Sequence, residues 1–268
     1  MKKNSLKKSP LRVILLSVLL FSWAGCEKEA TQNRLLAIQY GHSLFPANQI
    51  YQRSESQDKK PFAWMFYVYQ TTHQTILIDT RFNDPTKKKT YQIQNFTDPL
   101  EQLKKQNILP EKVTHLILTH HHFDHTDLLS SFPQAHIYVT KKTYEVLIKS
   151  PNHQDFLARQ QNLGKINFTG SETQITSWIK TQKTGGHTRG HQAVSIMHNN
   201  KTYLLVGDEC YLQEGCRQQK ISGTLQDKAA HKRFLQSIQE TKKHILPFHD
   251  PIIQTQYKKI APGVVQIF

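Results

Sequence analysis

The chain has 268 residues, 37% of them hydrophobic, and a formal net charge of +15. That length is ample for a hydrophobic core and suits one large α/β domain or two small ones. The basic residues lie mostly as scattered pairs, such as Lys59-Lys60, Lys104-Lys105, Lys141-Lys142 and Lys242-Lys243, with Lys87-Lys88-Lys89 the only triplet; this describes a solvated basic surface, not the concentrated stripe of a nucleic-acid binder, so nucleic acid is not an expected partner.

In chain order, the first element is a processing signal. MKKNSLKKSPLR carries five positive charges and no acid, and Val13–Trp23 is an apolar run broken only by Ser17 and Ser22. That run is shorter than the ~20 residues that span a bilayer. A basic start, a short apolar core and small residues at its end form a secretory signal. The end, Ala24-Gly25-Cys26, resembles the lipobox of bacterial lipoproteins, in which the cysteine is lipidated and becomes the new N-terminus. Trp23 stands where that family usually has an aliphatic residue, and ordinary cleavage after Ala24 or an uncleaved anchor are the alternatives. The expectation is a signal peptide over 1–25, lipidation at Cys26, a tether over 26–34 and a folded domain over 35–268. The protein is then exported and lipid-anchored to a bacterial membrane, on its periplasmic or cell-surface side, where anionic lipid suits the basic charge.

Residues 27–60 are polar and weakly patterned, with a first strand near Leu35–Tyr40. FAWMFYVYQ (Phe62–Gln70) and TILIDT (Thr75–Thr80) flank Thr71-Thr72-His73-Gln74 and predict a hairpin. Arg81–Thr97 is polar and reads as a loop or lid, and Asp98-Pro99 caps a helix over Asp98–Gln106. VTHLILTH (Val113–His120) predicts a strand, AHIYVT (Ala135–Thr140) another, and KKTYEVLIKS (Lys141–Ser150) a helix. AVSIMH (Ala193–His198) and TYLLVGD (Thr202–Asp208) surround Asn199-Asn200-Lys201 as a second hairpin. Ala230, Phe234, Leu235 and Ile238 share one face of an amphipathic helix over Gln226–Lys243. HILPFHD (His244–Asp250) is a last short strand. Two β-rich halves, each followed by helices, predict an α/β fold of packed sheets with helices outside. Cys210 and Cys216 can pair in an oxidising compartment, though spacing sets no geometry, and they are too few for a four-cysteine zinc site.

The chemistry concentrates at strand ends. THHHFDH (Thr119–His125) places four histidines and an aspartate in seven residues. In an extended chain His120 and His122 point the same way and can share one metal, with His121 a bystander. Asp124 and His125 lie past the next bend and can face a second position. Neutral imidazoles and carboxylates suit zinc and related divalent ions. One cluster cannot complete two metal sites, and the chain offers more: GGHTRGH presents His187, VGDE ends a strand on Asp208, whose two oxygens can bridge, and LPFHD ends another on His249. His191, at the start of the next strand, reads as a residue behind the ligands or in the packing.

Taken in order from Thr75 to Asp250, LIDT, THHHFDH, GGHTRGH, VGDE and LPFHD resemble the metallo-β-lactamase superfamily. The resemblance implies an αβ/βα four-layer sandwich over 35–268 with two divalent ions, zinc foremost, between its sheets. His120, His122 and His187 would hold one ion, and Asp124, His125 and His249 the other. Asp208 would bridge, and Asp79 would support the site without binding metal. Within the superfamily, GDECY, GHTRGHQAV and the helix before LPFHD are similar to the N-acyl homoserine lactonases, whose tyrosine at the offset of Tyr211 is aimed at the substrate carbonyl. The alternative for Tyr211 is a packing residue. Three departures are Arg189 for the usual proline, Thr126-Asp127-Leu128 after the histidine cluster, and Arg81-Phe82 after the early aspartate. They touch the substrate-facing wall and leave the metal set whole.

The implied activity is hydrolytic opening of a small-molecule lactone or ester, N-acyl homoserine lactones foremost, with quorum quenching as its consequence. Tyr211 would stabilise the developing oxyanion, and Asp124 would relay a proton to the leaving alkoxide. The rivals are hydrolysis of thioesters, phosphodiesters or β-lactams at the same site, and a surface lipoprotein that binds metal without catalysis.

Overall fold

FAWMFYVYQ has no polar face, the pattern of a strand covered on both sides, and it lies at the centre of the fold. The computed structural model describes Met1 and residues 33–55, 57–239 and 242–268. The chain divides into two units, Met1–Thr31 and Gln32–Phe268. The expected signal peptide over 1–25, Cys26 and the tether as far as Gln32 lie outside the described residues.

Among the described residues, β1 (Arg34–Pro46), β2 (Lys59–Gln70), β3 (Thr75–Ile78), β4 (His115–Ile117), β5 (His136–Thr140) and β6 (Ile166–Thr169) run side by side in that order. β7 (Glu172–Gln174), β8 (Ile179–Lys183), β9 (Gln192–His198), β10 (Lys201–Leu205) and β11 (His244–Leu246) form a five-stranded second sheet. β12 (Lys258–Ala261) and β13 (Val264–Gln266) return to β1 and complete an eight-stranded first sheet. β3 to β6 are parallel, as are β10 and β11, and the remaining pairs are antiparallel. The β9–β10 hairpin turns on Asn199 and Asn200, with φ of 48° and 60°. Two successive positive φ values match the right-handed twist of the flanking strands, and asparagine tolerates them.

Alternation along β1 and β2 divides their side chains between two cores. Leu36, Ile38, Phe62, Trp64, Phe66 and Val68 face outward, against Leu103, Leu147, Phe156 and Leu157 from the covering helices. Leu35, Ala37, Ala63, Met65, Tyr67 and Tyr69 face inward and meet Val194, Ile196, Leu205 and Leu246 of the second sheet. The far side of that sheet carries Ala193, Leu204 and Ile245 against Phe234, Leu235 and Ile238 of the helix Lys228–Ile238. The layers are helix, sheet, sheet, helix, the αβ/βα sandwich that the motifs imply.

Expected boundaries shift in several elements, among them a last strand that ends at Leu246 and a helix that ends at Leu147, and four shifts stand out. The first strand continues to Pro46, paired with β2 through a bulge between Gln39 and Gly41. The strand expected over Val113–His120 is only His115–Ile117, and at its end the Thr119 amide is taken by the Asp79 carboxylate instead of a neighbouring strand. The expected loop Arg81–Thr97 contains a helix, Pro85–Thr90, capped by the Asp84 side chain with proline in its first turn. The helix expected over Gln226–Lys243 spans Lys228–Ile238 and starts at an Asp227 cap. Among the described residues no helix is long and apolar enough to cross a membrane.

Candidate active site

The site lies where strands of both sheets run out. Asp79 follows β3, His120 to His125 follow β4, Asp208 follows β10, His249 follows β11, and His187 and His191 precede β9. Asp79 is buried and holds φ +64°, a conformation uncommon outside glycine. Its carboxylate accepts from the Thr119 amide and hydroxyl, both at 2.7 Å, and meets His125 Nδ1 at 2.7 Å. His125 Nε2 is thereby turned toward Asp208 at 3.2 Å and Asp124 at 3.4 Å. His187 donates from Nδ1 to the Thr224 carbonyl at 2.9 Å, which leaves Nε2 facing Asp208 at 3.4 Å and His122 Nδ1 at 3.0 Å. His249 donates from Nδ1 to the Ala63 carbonyl at 2.9 Å, stacks on Phe62, and points Nε2 at Asp208 (3.2 Å) and Asp124 (3.5 Å).

Two sets of donor atoms result, each gathered within 4.8 Å: His120, His122, His187 and Asp208, and Asp124, His125, Asp208 and His249. Asp208 belongs to both. His121 belongs to neither. The residues fit divalent cations on grounds of their own. His120 Nε2, His125 Nε2, His249 Nε2 and Asp208 Oδ1 are buried without an aligned hydrogen-bond partner, a costly arrangement unless something else satisfies them. Burial holds His120 well below the ordinary imidazole range, with His125 adding to the effect, and holds His187 down to about 4, so both are neutral donors at neutral pH. Burial also acts against charge on His125, but Asp208, Asp124 and Asp79 outweigh it and raise its pKa well above the usual value. Carboxylates that hold a buried imidazole in its charged form mark a place that favours positive charge.

Beside these donors is a cavity of about 240 Å³, walled by Phe45, Phe62, Trp64, Tyr91 and Phe123. Tyr211 lines it too, buried, with its hydroxyl 2.6 Å from Thr224 Oγ1. Burial raises the Tyr211 pKa well above 10, with Asp208 adding to the shift, so the hydroxyl keeps its proton. No lysine or arginine lines the cavity among the described residues. Arg189 is exposed on the surface with its amide bonded to Gln226, away from the cavity lining. The other departures are mutually accommodated. The Arg81 carbonyl accepts from the Leu128 amide, and Lys87 lies 3.6 Å from Asp127.

Several residues here have no motif to announce them. Glu209 is fully buried next to Asp208, and His231 approaches it from the helix Lys228–Ile238. Thr119, Thr184 and Thr224 fix the rings of His120, His191 and His187 by hydrogen bonds. Of these, only Glu209 carried a signal, an acid directly after a ligand aspartate. His191 is buried and accepts the Asp208 amide on Nε2 at 3.1 Å. Cys210 and Cys216, whose pairing the sequence left open, form a disulfide around Tyr211.

The fold has known counterparts. A solved N-acyl homoserine lactone hydrolase, with N-hexanoyl-L-homoserine bound at its catalytic metal center, superposes with a TM-score of 0.70 at 18% identity, over 87% of this chain and 98% of that one. In sequence, the N-acyl homoserine lactonase AttM of Rhizobium radiobacter is 25% identical over 176 residues, 60% of this chain and 66% of that protein. A probable metallo-hydrolase of Mycobacterium tuberculosis (strain ATCC 25618 / H37Rv) is 28% identical over 127 residues, and the match spans 41% of each chain, less than half the length of that relative. The family model of the metallo-beta-lactamase superfamily matches residues 63–211, which include the histidine cluster, His187, Asp208 and Tyr211. With more than half of its length matched by that model, the chain belongs to the metallo-beta-lactamase superfamily.

Proposed function

We propose that this protein is a dinuclear metal-dependent hydrolase that opens the ring of lactones, N-acyl homoserine lactones first among them. The observation that carries the reading is the juxtaposition of two complete donor sets sharing Asp208 with a cavity of aromatic walls and no cationic side chain. Away from the donor sets the wall is mostly aromatic and has no cationic side chain to hold the charged flanks of a phosphodiester. A neutral acylated lactone fits it. The related lactonases support the same substrate class.

His120, His122 and His187 would hold one ion, Asp124, His125 and His249 the other, and Asp208 would touch both. The imidazole-rich donor sets favour zinc. When bound, such ions supply Lewis acidity and make water a competent nucleophile at neutral pH. The work of the chain's own residues follows from their positions. The Tyr211 and Thr224 hydroxyls lie 2.6 Å apart and either can donate; with Thr224 as the donor, the phenolic proton is free for the carbonyl oxygen of a substrate as charge develops on it. Water adds to the carbonyl carbon, the ring C–O bond breaks, and Asp124 passes the water's proton to the departing alkoxide. The product is a ring-opened hydroxy acid. Phe62, Trp64 and Phe123 exclude bulk water and receive the apolar part of the acyl group.

We also propose that the protein is exported and tethered to a bacterial membrane through Cys26, the signal over 1–25 being removed. Cys26→Ser should abolish incorporation of labelled lipid and release the protein from the membrane fraction. The catalytic reading is tested by proton release on N-acyl homoserine lactones, with a simple lactone, a thioester and a model phosphodiester alongside. Fast release confined to the lactones is expected. Silence on them, with two ions bound per chain, would sink the lactonase assignment.

A further inference from the structure

Glu209 has no part in the donor sets, yet it is fully buried and both of its oxygens are engaged. Its Oε1 accepts from the Gly186 amide at 2.8 Å, the His187 amide at 3.1 Å and the Thr184 hydroxyl at 2.6 Å. Its Oε2 lies 2.8 Å from His231 Nδ1. The other nitrogen of His231 accepts from the Ser222 amide at 3.3 Å. An amide can only donate, so His231 Nε2 is the lone-pair nitrogen, and Nδ1 carries the proton given to Glu209.

The same reasoning sets His191. Its Nε2 accepts from the Asp208 amide at 3.1 Å, so Nδ1 donates to Thr184 Oγ1 at 2.7 Å, and Thr184 in turn donates to Glu209. Donors and acceptors alternate without a break from the Asp208 backbone, through His191 and Thr184, to Glu209 and back to the His187 amide. Space is as closely matched as polarity. A Cβ added at Gly186 would lie 2.5 Å from Glu209 Oε2 and 2.7 Å from His231 Cα, so the ligand-bearing turn sits directly on the pair. The Gly186 carbonyl also accepts the Gln226 and Asp227 amides, which ties the turn to the start of the helix that carries His231.

From this geometry we infer that Glu209 and His231 form a positioning pair that holds the His187 turn and tunes the ion of the His120–His122–His187 set. The inference rests on the reading of the two donor sets as metal sites. His125 and His249 are held by other means, through Asp79 and the Ala63 carbonyl respectively. The pair touches the His187 turn directly and reaches the shared Asp208 only through Thr184 and His191, so its effect falls chiefly on the ion of the His120–His122–His187 set. A buried carboxylate whose only task was packing would show no such selectivity.

The test uses the full chain, stripped with chelator and titrated with Zn²⁺ against a chromophoric competitor, and separately with Co²⁺ while its visible absorption is recorded. Glu209→Gln keeps the shape but turns an amide N–H toward donors, and Thr184→Val removes one hydroxyl with little change in volume. Each should weaken one ion, Glu209→Gln by about 10–100-fold, and leave the other within about twofold, as loss of a group behind a ligand does. The Co²⁺ band of the weakened ion should shift. His231→Gln, which can still donate to Glu209, should stay nearer to wild type than His231→Leu. Unchanged affinities and spectra in Glu209→Gln and Thr184→Val overturn the inference. So does equal loss of both ions together with early melting of the metal-free variants, which is what a packing role alone predicts. Wild-type protein that binds no ion is a different outcome: it overturns the metal sites, and this inference with them.

Discussion

Tyr211 is held at its hydroxyl by Thr224 and at its ring between Phe62, His187 and His249. Replacing it with phenylalanine removes one oxygen atom, and with it the O–H donor, and Tyr211 is not among the ligands of the site. Tyr211→Phe should keep both ions and lower kcat on the best lactone by about 10²-fold, the usual cost of one lost donor to an oxyanion; steady-state kinetics beside metal analysis checks both halves. Asp208→Ala should instead abolish binding of two ions per chain, because it alone belongs to both donor sets. Arg81 behaves differently from either. It is fully buried, its three guanidinium nitrogens have no hydrogen-bond partner, and it stacks on Phe66 at 3.1 Å. Burial pulls its pKa down to about 9, which still leaves it charged at neutral pH. A buried charge without a paired acid is costly, so Arg81→Met should match or exceed wild type in thermal unfolding. The sign with pH is fixed as well. From about 9 up to the ordinary arginine range the unfolded chain holds more protons at this position than the folded one. The Arg81 contribution to stability should therefore rise with pH across that window and vanish in Arg81→Met.

At the scale of elements, β2 shows how much of the fold is legible in the sequence. Its run of apolar residues announces a covered strand, and the alternation of Phe62, Trp64, Phe66 and Val68 with Ala63, Met65, Tyr67 and Tyr69 assigns its faces. Phe66→Ala should cost about 3–5 kcal/mol in chemical denaturation, as for other large-to-small changes in a packed core, and should also strip the stacking partner from Arg81. The ligands at strand ends were legible because histidine and aspartate clusters have few structural uses at such spacing. The end of β4 was not, because the Thr119 amide leaves the sheet for a side chain forty residues earlier in the sequence. The helix Pro85–Thr90 was missed although its Asp84-Pro85 start has the same form as the Asp98-Pro99 start that was read correctly. Its lysines, with no apolar face among them, gave no helical period to read. Glu209 and His231 were beyond reach for another reason. Their pairing joins a strand end to a helix some twenty residues on, and periodicity marks His231 only as a residue near the buried face.

For the molecule as a whole, the two donor sets take residues from both sheets. His120, His122, Asp124 and His125 come from the end of β4, whereas His187, Asp208 and His249 come from the second sheet. Chelation should lower the unfolding temperature in proportion to the binding free energy withdrawn, and scanning calorimetry with and without zinc measures it. The disulfide Cys210–Cys216 closes a short loop around Tyr211. A loop of that size is worth about 2 kcal/mol in the chain-entropy account.

The division of ligands between the sheets reaches beyond catalysis. The Ala63 amide of β2 donates to the His249 carbonyl at 2.9 Å, and the Gln192 amide of β9 donates to the Thr119 carbonyl at 2.9 Å. Both bonds cross the same seam that the ligands cross, within a residue or two of them. Each ion is then a rivet between two plates, and loss of the rivets loosens the seam before it frays either plate. The amide protons of Ala63 and Gln192 become the natural gauges of occupancy: slow to exchange in the loaded protein and fast in the stripped one, while those in the middle of β1 keep their own pace.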